Sequence, residues 1–122
     1  MTHAFTDEER RETLAEFHRV VNMGPDELSA WLDGHDSRSV GMTPDGERVT
    51  DESDGESVGH AMGRRILHIG RTPRDRLTDE HYADMRKVIG YVHRHMKQRP
   101  EGDVTDTRWR KSLMNWGHDP LR

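Results

Sequence analysis

Residues 78–97 have the sequence TDEHYADMRKVIGYVHRHMK and carry the clearest helical pattern in the chain. Thr78 can cap a helix here, with Asp79 and Glu80 in its first turn at the positive end of the helix dipole. Apolar residues then recur with the period of an α-helix and define one continuous face. That face consists of Tyr82, Met85, Val88, Ile89, Val92 and Met96. The pattern predicts a long helix with one buried side.

The N-terminal part of the chain predicts two further helices. Thr6 and Glu9 form a capping-box pattern that starts a helix over about residues 7–21. Pro25 fits the first position of a second, shorter helix, which we expect to end near Gly34. Both segments place apolar residues at helical spacing, so each is expected to bury one face.

The C-terminal part predicts one helix on each side of residues 78–97. The helical pattern returns at Ser57 and continues to Pro73, which cannot extend it. A last, short helix is expected to take Thr105 or Asp106 as its cap and to end at Gly117.

These elements predict an all-α fold: a small bundle of four or five helices in one domain over residues 1–122. The segment 41–57 contains three glycines, one proline and six acidic residues without any period, and we interpret it as a mobile acidic loop. The predicted core consists of Leu14, Phe17, Val21, Leu28, Trp31, Leu32, Ile66, Ile69, Tyr82, Met85, Val88, Ile89, Val92, Met96, Trp109, Leu113 and Trp116.

Four positions have two interpretations each. Gly59 and Gly63 lie four residues apart, on one line of a helix where glycine is unfavourable. They indicate a close approach either by another helix, which we favour, or by a ligand. Trp109 and Trp116 are either core anchors, which we favour, or exposed rings on which nucleic-acid bases stack.

Composition excludes several classes of protein. Only 30% of the 122 residues are hydrophobic and 34% are charged, and no apolar run is long enough to span a membrane. The absence of cysteine excludes disulfides and thiolate metal sites. The first five residues lack the pattern of a signal peptide. We expect a cytoplasmic protein, associated with the nucleoid if DNA is its partner.

No constellation of residues predicts an enzyme, a cofactor or a metal site. His93 and His95 are about 200° apart around a helix and cannot bind one ion together. His81 and Asp84 can share a face, but no third ligand joins them at helical spacing. The chain also has no glycine-rich phosphate loop after a strand and no nucleophile motif.

Several blocks of the sequence together resemble a known family. They are residues 55–60 (GESVGH), 63–66 (GRRI), 84–95 (DMRKVIGYVHRH), 99–104 (RPEGDV) and 107–120 (TRWRKSLMNWGHDP). The chain resembles the domain-of-unknown-function family 3140 over most of its length, and departs from it in a longer acidic stretch over residues 42–54. Members of that family are often catalogued as DNA-binding proteins, without assigned catalytic residues. The resemblance therefore implies DNA binding as a description and gives no mechanism.

The charge distribution suggests a partner. Residues 1–60 hold 15 acidic and 5 basic residues, whereas residues 61–122 hold 8 acidic and 14 basic residues. The first hypothesis is a DNA-binding protein whose basic half contacts phosphates without base readout. The predicted contacts are Arg64, Arg65, Arg86, Lys87, Arg94, Lys97, Arg108, Arg110 and Lys111. The alternative is a protein-interaction or structural module whose acidic and basic halves neutralise each other, within one chain or by self-association.

Overall fold

The computed structural model describes residues 4–122, so the first three residues of the predicted domain lie outside it. The described chain is 61% helical and contains no strand. Its α-helices are α1 (Asp7–Val20), α2 (Pro25–Leu32), α3 (His35–Arg38), α4 (Val58–Arg71), α5 (Asp79–Met96) and α6 (Arg108–Asn115). Single 3-10 turns lie at Glu52–Asp54 and Arg74–Arg76. The predicted all-α bundle is confirmed. Within residues 4–122 we find no helix with the length and apolar character needed to cross a membrane.

The helix starts are fixed by side-chain caps. At α1, the Glu9 amide donates to Thr6 Oγ1 (3.1 Å) and the Thr6 amide donates to Glu9 Oε1 (3.0 Å), which completes the predicted capping box. At α4, Ser57 Oγ accepts from the His60 amide at 3.0 Å. Thr78 caps α5 as predicted. Each cap satisfies an amide that the helix itself leaves without a partner.

The predicted cap of α6 was wrong. Thr107, rather than Thr105 or Asp106, accepts a hydrogen bond from the Arg110 amide at 3.2 Å. Thr105 instead donates its own amide and hydroxyl to Asp103, at 2.9 and 2.6 Å. Since that local turn occupies Thr105, the helix begins two residues later than the sequence suggested.

The core lies between α1, α4, α5 and α6, with α2 packed on α4 and on α6. Each of the 17 predicted core residues is either buried in this core or packed against it. Trp109 and Trp116 are each 8% exposed, which favours the core-anchor interpretation of both. Buried hydrophobic residues that the periodicity did not predict are Val20, Met23, Val40, Val49, Leu77 and Val104.

The two glycines of α4 lie where this helix approaches its neighbours. A Cβ atom at Gly59 would lie 2.8 Å from Trp116 Nε1. At Gly63 it would lie 2.6 Å from Leu32 Cδ2 and 2.7 Å from the Asn115 carbonyl oxygen. Both distances are too short for any side chain, so the spacing marks close helix packing.

The acidic segment, residues 41–57, has a defined course. Met42 and Arg48 form an isolated antiparallel bridge, and the Val49 amide donates to the Gly41 carbonyl at 2.8 Å. Val49 itself is fully buried. The segment is therefore anchored at its centre, and the mobility expected from its composition stays a prediction.

The C-terminal residues return to the turn between α1 and α2. Gly117 has φ +77°, a conformation that glycine adopts without strain, and it reverses the chain after α6. The Met23 amide donates to the Gly117 carbonyl at 3.2 Å. Asn22 and Asp119 then exchange two hydrogen bonds, at 3.0 and 2.7 Å. These contacts close the domain across almost its whole sequence.

Candidate anion-binding site

The nine basic residues predicted to contact phosphate differ in their partners within the fold. Six of them have acidic or carbonyl partners, and three have none among residues 4–122. The six are Arg64, Arg65, Arg86, Arg108, Arg110 and Lys111; the three are Lys87, Arg94 and Lys97.

On α4, the two arginines bind different carboxylates. Arg65 pairs with Asp84 of α5, with Nε 3.1 Å from Oδ2, and this contact raises the pKa of Arg65. Arg64 pairs with Glu56, which also receives the His60 ring at 2.5 Å. Burial works to raise the Glu56 pKa, but the hydrogen bonds from Arg64 and His60 outweigh it and lower that pKa.

The exposed side chain of Arg86, on α5, also contacts α1. Its Nε donates to Thr13 Oγ1 at 3.3 Å, and its guanidinium lies 3.4 Å from Glu9. The same guanidinium lies over the Phe5 ring, 4.6 Å from its centroid. Arg86 is therefore part of the contact between α1 and α5.

The three basic residues of α6 also have partners. Arg110 makes two hydrogen bonds to the Asp119 carboxylate (3.1 and 3.0 Å), and Lys111 lies 3.5 Å from Asp36. Arg108 has no carboxylate partner. It donates to the carbonyl oxygens of Ser39 (3.1 Å) and Val49 (2.7 Å), and so anchors the acidic segment.

Lys87, Arg94 and Lys97 are exposed and make no ion pair or hydrogen bond within residues 4–122. Lys87 and Arg94 lie on α5 and Lys97 is its C-cap residue, and their spacings of seven and three residues place them along one side of the helix. Arg94 is near enough to the Tyr91 hydroxyl to oppose the rise of its pKa. We call these three residues the α5 cation row.

A cavity of about 620 Å³ adjoins α5, and sequence reasoning missed it. It opens between the acidic segment, the start of α4, the last turns of α5, and α6. Its lining residues are Gly41, Met42, Arg48, Val58, Gly59, Tyr91, His95, Arg108, Ser112, Asn115 and Trp116. The lining contains two arginines and no carboxylate. No local pattern marks it, because its walls come from four separate parts of the sequence.

A column of parallel rings forms one wall of the cavity. Tyr91 stacks on Trp116 (centroids 4.1 Å apart) and on His95 (5.0 Å), and His95 stacks on Trp109 (6.1 Å). The Arg99 guanidinium covers the far face of the column, 5.6 Å from the Trp109 ring. The column joins α5 to α6, so this wall of the cavity is formed by contacts within the chain and needs no ligand.

Burial determines the ionisation of the groups in this wall. It raises the pKa of Tyr91 to about 12, although Ser112 shares a hydrogen bond with its hydroxyl. Burial also lowers the pKa of His95, whose Nε2 is buried without a partner among residues 4–122. Both rings are therefore neutral at pH 7. The positive charge of the cavity comes from Arg48 and Arg108.

The arrangement of histidines does not form a metal centre in the described part of the chain. No group of three or more candidate ligands converges within residues 4–122. His81 contacts His68 (3.3 Å between their Nε2 atoms) and also takes part in the cap of α5 with Thr78. Asp84, which the sequence placed on the same face as His81, is held by Arg65.

The chain was compared with protein families, curated proteins and solved structures. A family model described as "Protein of unknown function (DUF3140)" matches residues 16–114. No curated protein matches, and no solved structure does. The matched region extends from α1 into α6 and includes the α5 cation row.

Proposed function

We propose a nucleic-acid-binding role without catalysis for this chain, which belongs to the DUF3140 family of proteins of unknown function. The family match confirms the resemblance found in the sequence and carries no activity with it. The proposal rests instead on the α5 cation row. Lys87, Arg94 and Lys97 are the predicted phosphate contacts that make neither an ion pair nor a hydrogen bond within residues 4–122.

The cation row implies weak binding that depends on phosphates and not on base sequence. Each phosphate contact releases condensed counterions, so the binding constant falls with salt in proportion to the number of contacts. Three contacts predict a log–log slope of about −2.7 for duplex DNA and about −2.1 for a single strand. Nine contacts, as the sequence suggested, would give about −8 for duplex DNA. The internal partners of the other six residues, five carboxylates and the two carbonyls that bind Arg108, support the smaller number.

Fluorescence anisotropy with a labelled random-sequence duplex, titrated at several salt concentrations, tests the proposal. We expect binding at low salt with the slope of three contacts. The variant Lys87→Gln/Arg94→Gln/Lys97→Gln should lose most of it.

The control variant replaces three exposed arginines outside the cation row, Arg11→Gln/Arg71→Gln/Arg76→Gln, and changes the net charge equally. It should bind nearly as the unmodified protein does. Equal losses in both variants would show that net charge alone is at work. No binding of the unmodified protein at low salt would end the nucleic-acid proposal.

The second candidate is a self-contained interaction or structural module, and the ion pairs favour it. The acidic helix α1 packs along α5, where Glu16 lies 3.1 Å from His93 and Arg10 lies 2.8 Å from Asp79. These pairs support neutralisation within one chain. If this candidate is right, we expect light scattering to give the mass of a monomer from low to high salt. The anisotropy titration should then show no binding of the duplex. A salt-sensitive dimer would instead place the neutralising contacts between chains.

A further inference from the structure

The cavity beside α5 has an unusual charge for this protein. The chain has 23 acidic and 19 basic residues, yet none of the acidic ones lines this cavity. Arg48 and Arg108 both line it, and they are close enough for the charge of one to act on the other. Two neighbouring guanidinium groups without a carboxylate repel each other, so an anion between them would be favourable.

Arg108 keeps donors free for such an anion. Two of its N–H groups donate to the carbonyl oxygens of Ser39 and Val49, which fixes its position. A guanidinium has five N–H groups, so three remain. Arg48 is exposed and makes no side-chain hydrogen bond or ion pair within residues 4–122. One arginine is therefore held in place and the other can close over a ligand.

The mouth of the cavity is apolar. Met42 is 56% exposed and Val58 is 41% exposed, and these are two of the three large hydrophobic side chains that are exposed among residues 4–122. Both line the cavity together with Trp116 and Tyr91. Since Tyr91 stacks on Trp116 and on His95, both faces of its ring are covered, and it can present only its edge, which carries positive partial charge.

We propose that this cavity binds a small organic anion with an apolar body. The anionic group contacts Arg48 and Arg108, and the apolar body lies between Met42, Val58 and Trp116. A volume of about 620 Å³ is within the range of small-molecule sites. The proposal is independent of the α5 cation row, because none of its three residues lines the cavity.

The probe is 1-naphthoate, and 1-naphthamide is its neutral counterpart of almost the same shape. Each is titrated into isotopically labelled protein and followed by the amide and indole resonances. We expect 1-naphthoate to shift the amides of Gly41, Gly59 and Ser112 and the indole N–H of Trp116, and to bind about tenfold more tightly than the amide. Naphthyl phosphate, in a parallel titration, shows whether the site prefers a phosphate or a carboxylate.

Two matched pairs of variants test the assignment of residues. Arg48→Gln should weaken 1-naphthoate binding about tenfold, whereas Arg71→Gln, at an exposed arginine of α4 outside the cavity, should not. Met42→Glu should weaken it further than Met42→Gln, because only the former adds a negative charge at the mouth. All three positions, Met42, Arg48 and Arg71, are exposed, so these variants should fold.

Three results would overturn the proposal. The first is that 1-naphthoate causes no shift at the cavity residues. The second is equal affinity for 1-naphthoate and 1-naphthamide, which would leave an apolar cleft without anion recognition. The third is an equal loss in Arg48→Gln and Arg71→Gln, which would mean that the anion responds to the overall charge of the protein.

Discussion

Asn115 is the buried polar residue that holds three helices together. It lies in α6 and is 1% exposed. Its Oδ1 accepts from Trp31 Nε1 of α2 (2.8 Å) and from Ser37 Oγ of α3 (2.5 Å), and its Nδ2 donates to the Ser37 carbonyl (3.0 Å). A buried amide with its hydrogen bonds satisfied fixes one arrangement of its neighbours.

We expect Asn115→Ala to lower the free energy of unfolding by about 3 kcal/mol, because it leaves two donors and one acceptor buried without partners. Ser37→Ala should cost less, about 1 kcal/mol, since it removes one of these hydrogen bonds. Urea unfolding followed by tryptophan fluorescence measures both. If the free energy of unfolding of Asn115→Ala equalled that of the unmodified protein, Asn115 would not hold the three helices together.

Single residues differ in how far the sequence predicts their role. The predicted caps at Thr6 and Thr78 act over three residues, so a local pattern suffices. The partner of Arg86 is Glu9, which is 77 positions away. No spacing rule reaches that far, and for this reason the sequence alone predicts Arg86 as a phosphate contact.

At the scale of helices, glycine acts through its surroundings. Gly63 and Gly70 both belong to α4, and only Gly63 lies against other elements. A Cβ atom at Gly70 would meet nothing within 4 Å, whereas one at Gly63 would meet α6 backbone at the Asn115 carbonyl. Alanine substitutions at these two glycines therefore distinguish the effect of helix propensity from the effect of helix packing.

Gly63→Ala should destabilise the protein by about 2 kcal/mol, because α6 or Leu32 must move. Gly70→Ala should instead stabilise it by about 0.5 kcal/mol, as expected for alanine in a helix without new contacts. The free energies of unfolding of both variants in urea give the comparison. Changes of the same sign would contradict the packing role of Gly63.

The five longer helices were predictable, whereas the short helix α3 and the segment between α3 and α4 were not. Amphipathic periods are local and appear in any window of the sequence. Val49 is isolated among polar residues, and its burial depends on the Arg108 guanidinium, which binds its carbonyl from α6. The cavity could not be predicted for the same reason. The acidic segment forms one of its walls only when that segment is anchored on α6.

Over the whole molecule, the opposite charges of the two halves are used mostly inside the fold. The sequence shows the asymmetry but not which charges remain free after pairing. Glu9 and Glu16 of α1 face Arg86 and His93 of α5, so the acidic half covers part of the basic half. Of the nine predicted phosphate contacts, only the α5 cation row makes no ion pair or hydrogen bond within residues 4–122, and this reduces the expected number of contacts from nine to three.

The C-terminal end of the domain contacts the turn between α1 and α2 at Asp119. Its carboxylate accepts from Arg110 at 3.1 and 3.0 Å, and its backbone exchanges hydrogen bonds with Asn22. The bonds from Arg110 lower the pKa of Asp119 and outweigh burial, which opposes them. A carboxyl group whose pKa is lower in the folded state stabilises that state above its unfolded pKa, about 3.9 for aspartate. The contribution disappears as the pH falls through the folded pKa.

We therefore expect Asp119→Asn to lower the free energy of unfolding by about 2 kcal/mol at pH 7, because Arg110 loses its ionised partner. The difference from the unmodified protein should begin to shrink as the pH falls below about 3.9, the unfolded pKa, and should disappear below the lower folded pKa, where the carboxyl group is protonated in both folded and unfolded chains. Urea titrations at a series of pH values from 7 to 3 measure this difference. Asp45→Asn, at an exposed residue of the acidic segment, is the control and should change little at any pH. A constant difference for Asp119→Asn across this range would mean that the contact of Asp119 with Arg110 does not depend on its charge.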